Sequence, residues 1–100
     1  MYKKRKMNKT QKQKEKIKRF LTFVNEVFPN YEIDDCGDGG RISFIPTKFE
    51  GHQSNNVIEF QRSRLDLCVL NCASAQVKED CMVMEGMLKL IQKEVEEIEA

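Results

Sequence analysis

His52 and the cysteines at positions 36, 68, 72 and 81 are the side chains best suited to hold a zinc-like ion together. Zinc sites draw their ligands from closely spaced pairs on tight turns. The gaps here run from 36 to 52, 68 to 72 and 72 to 81 without a Cys-x-x-Cys pair, so free thiols and no metal are expected. Asp34, Asp38 and Gly39 echo a calcium loop, but Cys36 and Ile45 stand where oxygen ligands belong. Gly37, Gly39 and Gly40 do not precede a helix, and so make a turn instead of a phosphate cradle. There is one histidine, and no Ser, Cys or Lys has an identifiable base and orienting partner. Neither enzymatic activity nor a cofactor is therefore expected.

Charge is the chemistry the chain does carry. Residues 1–19 hold ten Lys or Arg against Glu15 alone, while the remainder holds seven against fifteen, so a formal net charge of +1 hides two opposed parts. Clustered cations displace counterions from phosphates, which makes a nucleic acid one candidate partner. Lys3-Lys4-Arg5-Lys6 also fits a nuclear-import signal. Glu94, Glu96, Glu97 and Glu99 crowd the end of the last helical pattern, where the helix dipole disfavours negative charge. Acid there asks for a basic neighbour, which the N-terminal lysines could supply within a chain or between chains. No apolar run approaches membrane-spanning length, and no apolar core follows the basic N-terminus. The sequence reads as non-membrane and intracellular, in a reducing compartment.

The elements that must position these charges follow from periodicity. Val77, Cys81, Met84, Leu88, Ile91, Val95 and Ile98 alternate steps of four and three, which places them on one face of a long C-terminal helix. Val83, Met87 and Leu90 are expected to widen that stripe where the helix lies on a sheet. Ile17, Phe20, Leu21, Val24, Val27 and Phe28 form a first amphipathic helix of about three turns, stopped by Pro29. Residues 1–15 read as a disordered or solvated helical extension, or the end of a coiled coil, ahead of a single domain over 16–100. Four strands are expected at Tyr31–Asp35, Arg41–Ile45, Val57–Arg62 and Leu65–Leu70, with a tight reversal at Ser63 and either Asn71 or Ser74 capping the last helix. Short connections make them an antiparallel meander. The fold class is α+β: helix, four-stranded antiparallel meander, long C-terminal helix. Phe44, Phe60, Leu67, Val24, Met84 and Leu88 should be buried together, with Glu59, Gln61 and Asp66 exposed.

This layout resembles the RWD-type domains of kinetochore proteins, above all the C-terminal domain family of the mitotic-arrest-deficient spindle-checkpoint scaffold. The resemblance rests on Lys16-Ile17-Lys18-Arg19-Phe20, Asn30-Tyr31-Glu32-Ile33-Asp34, Arg41-Ile42-Ser43, Val57-Ile58-Glu59-Phe60-Gln61 and Leu65-Asp66-Leu67, within roughly residues 16–75. It implies a non-enzymatic nuclear, kinetochore-associated module that binds a checkpoint kinase or kinetochore subunits. Where that family carries the Arg-Leu-Lys motif that binds the kinase, this chain reads Arg5-Lys6-Met7-Asn8-Lys9-Thr10. The smaller coiled-coil subunits of the kinetochore's microtubule-attachment complex share the layout.

The expected partner-binding residues are Arg5, Lys6, Lys9, Lys12 and Lys16 on the basic N-terminal helix. A two-fold homodimer is expected through Ile17, Leu21, Val24 and Phe28, whose four-three-four spacing suits pairing with a second copy. The reading from a different class is a small basic-armed nucleic-acid-binding protein.

Overall fold

The computed structural model describes residues 7–35, 40–47, 57–69 and 74–98. Expectations that fall on Arg5, Lys6, Cys36, the glycines at 37 and 39, His52, Asn71 and Cys72 lie outside those residues. The chain runs α1 (Lys9–Val27), β1 (Tyr31–Asp35), β2 (Arg41–Pro46), β3 (Ile58–Gln61), β4 (Asp66–Val69) and α2 (Ala75–Glu96). The four strands form one antiparallel sheet in the order β1-β2-β3-β4, so each strand lies beside its sequence neighbour. This is the expected helix, meander, helix arrangement.

α1 begins two turns earlier than the apolar pattern suggested. Asn8 and Gln11 form a capping box, in which the Asn8 side chain accepts from the Gln11 amide at 2.8 Å and the Gln11 side chain accepts from the Asn8 amide at 3.0 Å. Two otherwise unpaired donors of the first turn are thereby satisfied. The helix ends at Phe28, whose amide still reaches the Val24 carbonyl, immediately before Pro29.

Sheet register places Tyr31, Ile33, Ile42, Phe44, Pro46, Ile58, Phe60, Leu67 and Val69 on one face, and both helices cover that face. Phe20 is fully buried at its centre, with ring centroids 4.9 Å from Phe60 and 6.0 Å from Phe44. Val24, Phe44, Phe60, Leu67, Met84 and Leu88 are buried in one cluster, as expected. Of the expected outward residues, Asp66 is exposed, whereas Glu59 and Gln61 are half-buried. Arg41 stands opposite Gln61 and reaches Glu59 at 3.5 Å, so these long side chains cover one another on the outer face.

Ser74 is the α2 cap, its hydroxyl accepting from the Val77 amide. The stripe from Val77 to Val95 is buried as its spacing requires. Its expected widening is a correction: Val83 and Leu90 are more than half exposed, and Met87 alone of that row packs on the core. Lying beside a second helix on one sheet face, α2 buries a single row and shows its flank to solvent. Strand boundaries also shift. Leu65 belongs to the four-residue turn between β3 and β4, with φ of +54°, and its amide bonds the Gln61 carbonyl at 2.8 Å. The left-handed geometry that closes this turn excludes Leu65 from the strand.

Candidate protein-interaction surface

The two helices run antiparallel. Lys12 and Lys16 of α1 meet Glu96 at the end of α2, while Tyr31, just after α1, donates its hydroxyl to Asp80 Oδ2 near the start of α2 at 2.7 Å. The basic half of α1 therefore lies over the acidic, dipole-negative end of α2. Lys16 Nζ is 2.5 Å from Glu96 Oε2, and Lys12 Nζ is 3.6 Å from Oε1 and donates to the Glu96 carbonyl at 3.3 Å. The latter bond satisfies one of the carbonyls a helix end leaves open. Both lysine side chains are only about a tenth exposed. The hydrogen bond from Lys16, and then its charge, hold the Glu96 carboxyl below the usual carboxylate range.

This geometry corrects the expectation for two of the partner-binding lysines. Lys12 and Lys16 are committed to Glu96 of their own chain and are not presented to a partner. Of the acidic cluster, Glu96 meets these two lysines and Glu94 lies 4.0 Å from Arg19, within the chain. Lys9 is exposed at the helix start beside Thr10, Gln13 and Lys14.

The expected dimer stripe divides in the same way. Ile17 and Leu21 are half-buried and form the floor of a shallow groove with Lys14, Lys18, Thr22 and Arg62 around them. Val24 is fully buried in the core and cannot meet a second copy, which removes it from that interface. Phe28 turns away from the groove, its ring 5.9 Å from Phe23 and 6.0 Å from Tyr31 in edge-on contacts. The four-three row winds around α1 into two environments because the sheet and α2 together take up more than one side of this helix.

Sequence reasoning did not single out Lys14, Lys18 and Arg62 as one site. The lysines lie one turn apart beside Ile17 and Leu21, a signal open to view at i and i+4. Arg62 comes from the β3–β4 turn and carried no such signal. Its carbonyl accepts from Gln13 Nε2 at 2.5 Å, and its guanidinium pairs with Asp35, so turn, strand end and helix are tied together beside the groove. Lys14 and Lys18 make no ion pair among the described residues.

The nucleophile-bearing side chains present a different picture. Cys81 is buried, and its thiol is pushed up to about 11 by burial first, then by Glu85 and Cys68, so it stays protonated at neutral pH. Burial, reinforced by the hydrogen bond to Asp80, also raises the Tyr31 hydroxyl. Cys68 is an exposed free thiol on the outer sheet face. No group of three metal-ligating side chains occurs among the described residues, and none of their helices is long and apolar enough to cross a membrane. Comparison with family models, with curated proteins and with solved structures gave no match.

Proposed function

We propose that the chain is a non-enzymatic protein-interaction domain, of the kind found in kinetochore and spindle-checkpoint scaffolds, acting in the nucleus. The observation that carries this reading is the groove on α1, an apolar floor of Ile17 and Leu21 with Lys14, Lys18 and Arg62 at its rim. An apolar floor rewards burial of a partner's apolar side chains. The exposed Lys14 and Lys18 select a partner segment that carries acids beside them, while Arg62 is held by Asp35. An amphipathic acidic segment of a checkpoint kinase or a kinetochore subunit meets both conditions. The resemblance of the helix, meander, helix layout to RWD-type domains is what suggests this partner class.

Phosphates are the second reading, favoured by Lys9, Lys14 and Lys18, which are all exposed on α1. The two readings separate in one series of titrations. The purified chain is titrated with checkpoint kinase, with kinetochore subunits and with duplex DNA, each between about 50 and 200 mM salt. Binding of a protein subunit that falls only modestly over that range, as a few screened charge pairs require, and weakens in Leu21→Ala supports the proposal. Binding to DNA alone, falling steeply with salt and lost in Lys14→Glu/Lys18→Glu, supports phosphate recognition and overturns it.

A further inference from the structure

A second, unrelated surface lies at the opposite side of the sheet, where β4 is an edge strand. In an antiparallel ladder, successive residues turn their amide and carbonyl alternately toward one neighbour and then the other. The Arg62 amide bonds the Gly40 carbonyl, so along β3 residues 58, 60 and 62 serve β2, while Glu59 and Gln61 serve β4. Their register partners are Cys68 and Asp66. Leu67 and Val69 therefore direct their backbone N–H and C=O toward the open edge. Beside that edge runs a groove between β4 and α2, lined by Leu65, Asp66, Leu67 and Leu88 with Glu85, Lys89 and Gln92 along its helical wall. An edge strand next to a groove with a leucine floor and charged walls is a template for adding a strand.

We infer that the occupant of this edge is a second copy of the chain, pairing β4 to β4 across a two-fold axis at Leu67 to make one continuous eight-stranded sheet. The argument is self-complementarity. Centred on Leu67, an antiparallel pair sets Leu67 against the partner's Leu67 on the apolar face, with the turn residue Leu65, whose amide and carbonyl are already bonded to Gln61 and Gln92, flanking the ladder. On the outer face it sets Asp66 against the partner's Cys68, so no carboxylate meets its own copy. A register shifted by one residue would oppose the apolar face to the polar one.

The helices agree with the same axis. Gln92 donates to the Leu65 carbonyl at 3.3 Å, which fixes the C-terminal half of α2 beside the start of β4. Lys89 thus lies near the Leu65 end, and Glu85, one turn earlier, lies farther along the strand. The two-fold axis reverses that order in the partner, bringing Lys89 toward the partner's Glu85 and Glu85 toward the partner's Lys89. Neither side chain makes an ion pair within its own chain among the described residues. This interface replaces α1 as the site of two-fold pairing and leaves the α1 groove open.

Sedimentation of the full chain at tens of micromolar is the test. A dimer is expected. Lys89→Glu, at an exposed position, should raise its dissociation constant about tenfold by turning two attractive pairs repulsive. Glu85→Lys/Lys89→Glu should restore it. Asp66→Cys should give a covalent dimer with oxidised glutathione as oxidant, because non-hydrogen-bonded neighbours in an antiparallel pair lie within disulfide reach. A monomer at these concentrations overturns the inference. So does a dimer indifferent to Lys89→Glu and not cross-linked through Asp66→Cys, which would place the contact elsewhere.

Discussion

Lys16 Nζ lies 2.5 Å from Glu96 Oε2, joining the first helix to the last across eighty residues of sequence. Because the folded chain holds Glu96 below its ordinary carboxylate pKa, the unfolded chain binds this proton more readily. The pair's stabilisation is fully present above the ordinary carboxylate pKa and is lost as pH falls through the lowered one. Glu96→Gln should remove that part of the acid limb. Chemical denaturation from pH 7 to pH 2 checks this: the wild type should lose more stability on acidification than the variant, and parallel profiles would contradict the account.

The face of α2 that meets the sheet is tested by a pair of substitutions two residues apart, about half a turn round the helix. Leu88 is buried and Leu90 more than half exposed. Leu88→Ala should cost roughly 2 to 5 kcal/mol through lost burial and an unfilled cavity. Leu90→Ala should stay within about 0.5 kcal/mol. Urea unfolding of both variants reads the difference directly.

The Asn8 cap is what lets α1 start ahead of its apolar residues. Asn8→Ala should destabilise the chain by about 1 kcal/mol. Its effect on hydrogen exchange should be largest in the first two turns, where amides would exchange faster than in wild type, while those near Val24 should be little changed.

Tyr31→Phe removes the hydroxyl that Asp80 accepts from and keeps the ring in its place beside Phe28. A loss of about 1.5 to 3 kcal/mol is expected for a hydrogen bond to a charged group. A thermal melt of this variant at neutral pH should show a lowered midpoint with an unchanged far-ultraviolet spectrum.

The architecture was legible where periodicity and burial coincide. The row from Val77 to Val95 needed a single flat surface, and the alternation of Ile42 and Phe44, then Ile58 and Phe60, supplied it. The limits of α1 were not legible, because Lys12 and Lys16 are polar and owe their burial to Glu96, a residue distant in sequence that topology alone brings near. Leu65 looked like a strand residue since its parity matches Leu67 and Val69, yet turn closure set its backbone angles. For the candidate site, Ile17 and Leu21 were visible as an apolar pair. Their separation from Val24 and Phe28 was not, since it depends on how the sheet and α2 divide the circumference of α1. Arg62 joins the groove only through the fold of the β3–β4 turn.

The most direct measurement of the central proposal is the heat capacity of binding at the α1 groove. Calorimetric titration of the purified chain with a kinetochore subunit or checkpoint kinase, at several temperatures, should give saturable binding with a negative heat-capacity change, the mark of apolar burial. Leu21→Ala should weaken that binding about tenfold and reduce the heat-capacity change, while Lys14→Glu/Lys18→Glu should slow association and weaken binding to acidic partners. Absence of binding to any such subunit, together with DNA binding that disappears with salt, would contradict the proposal.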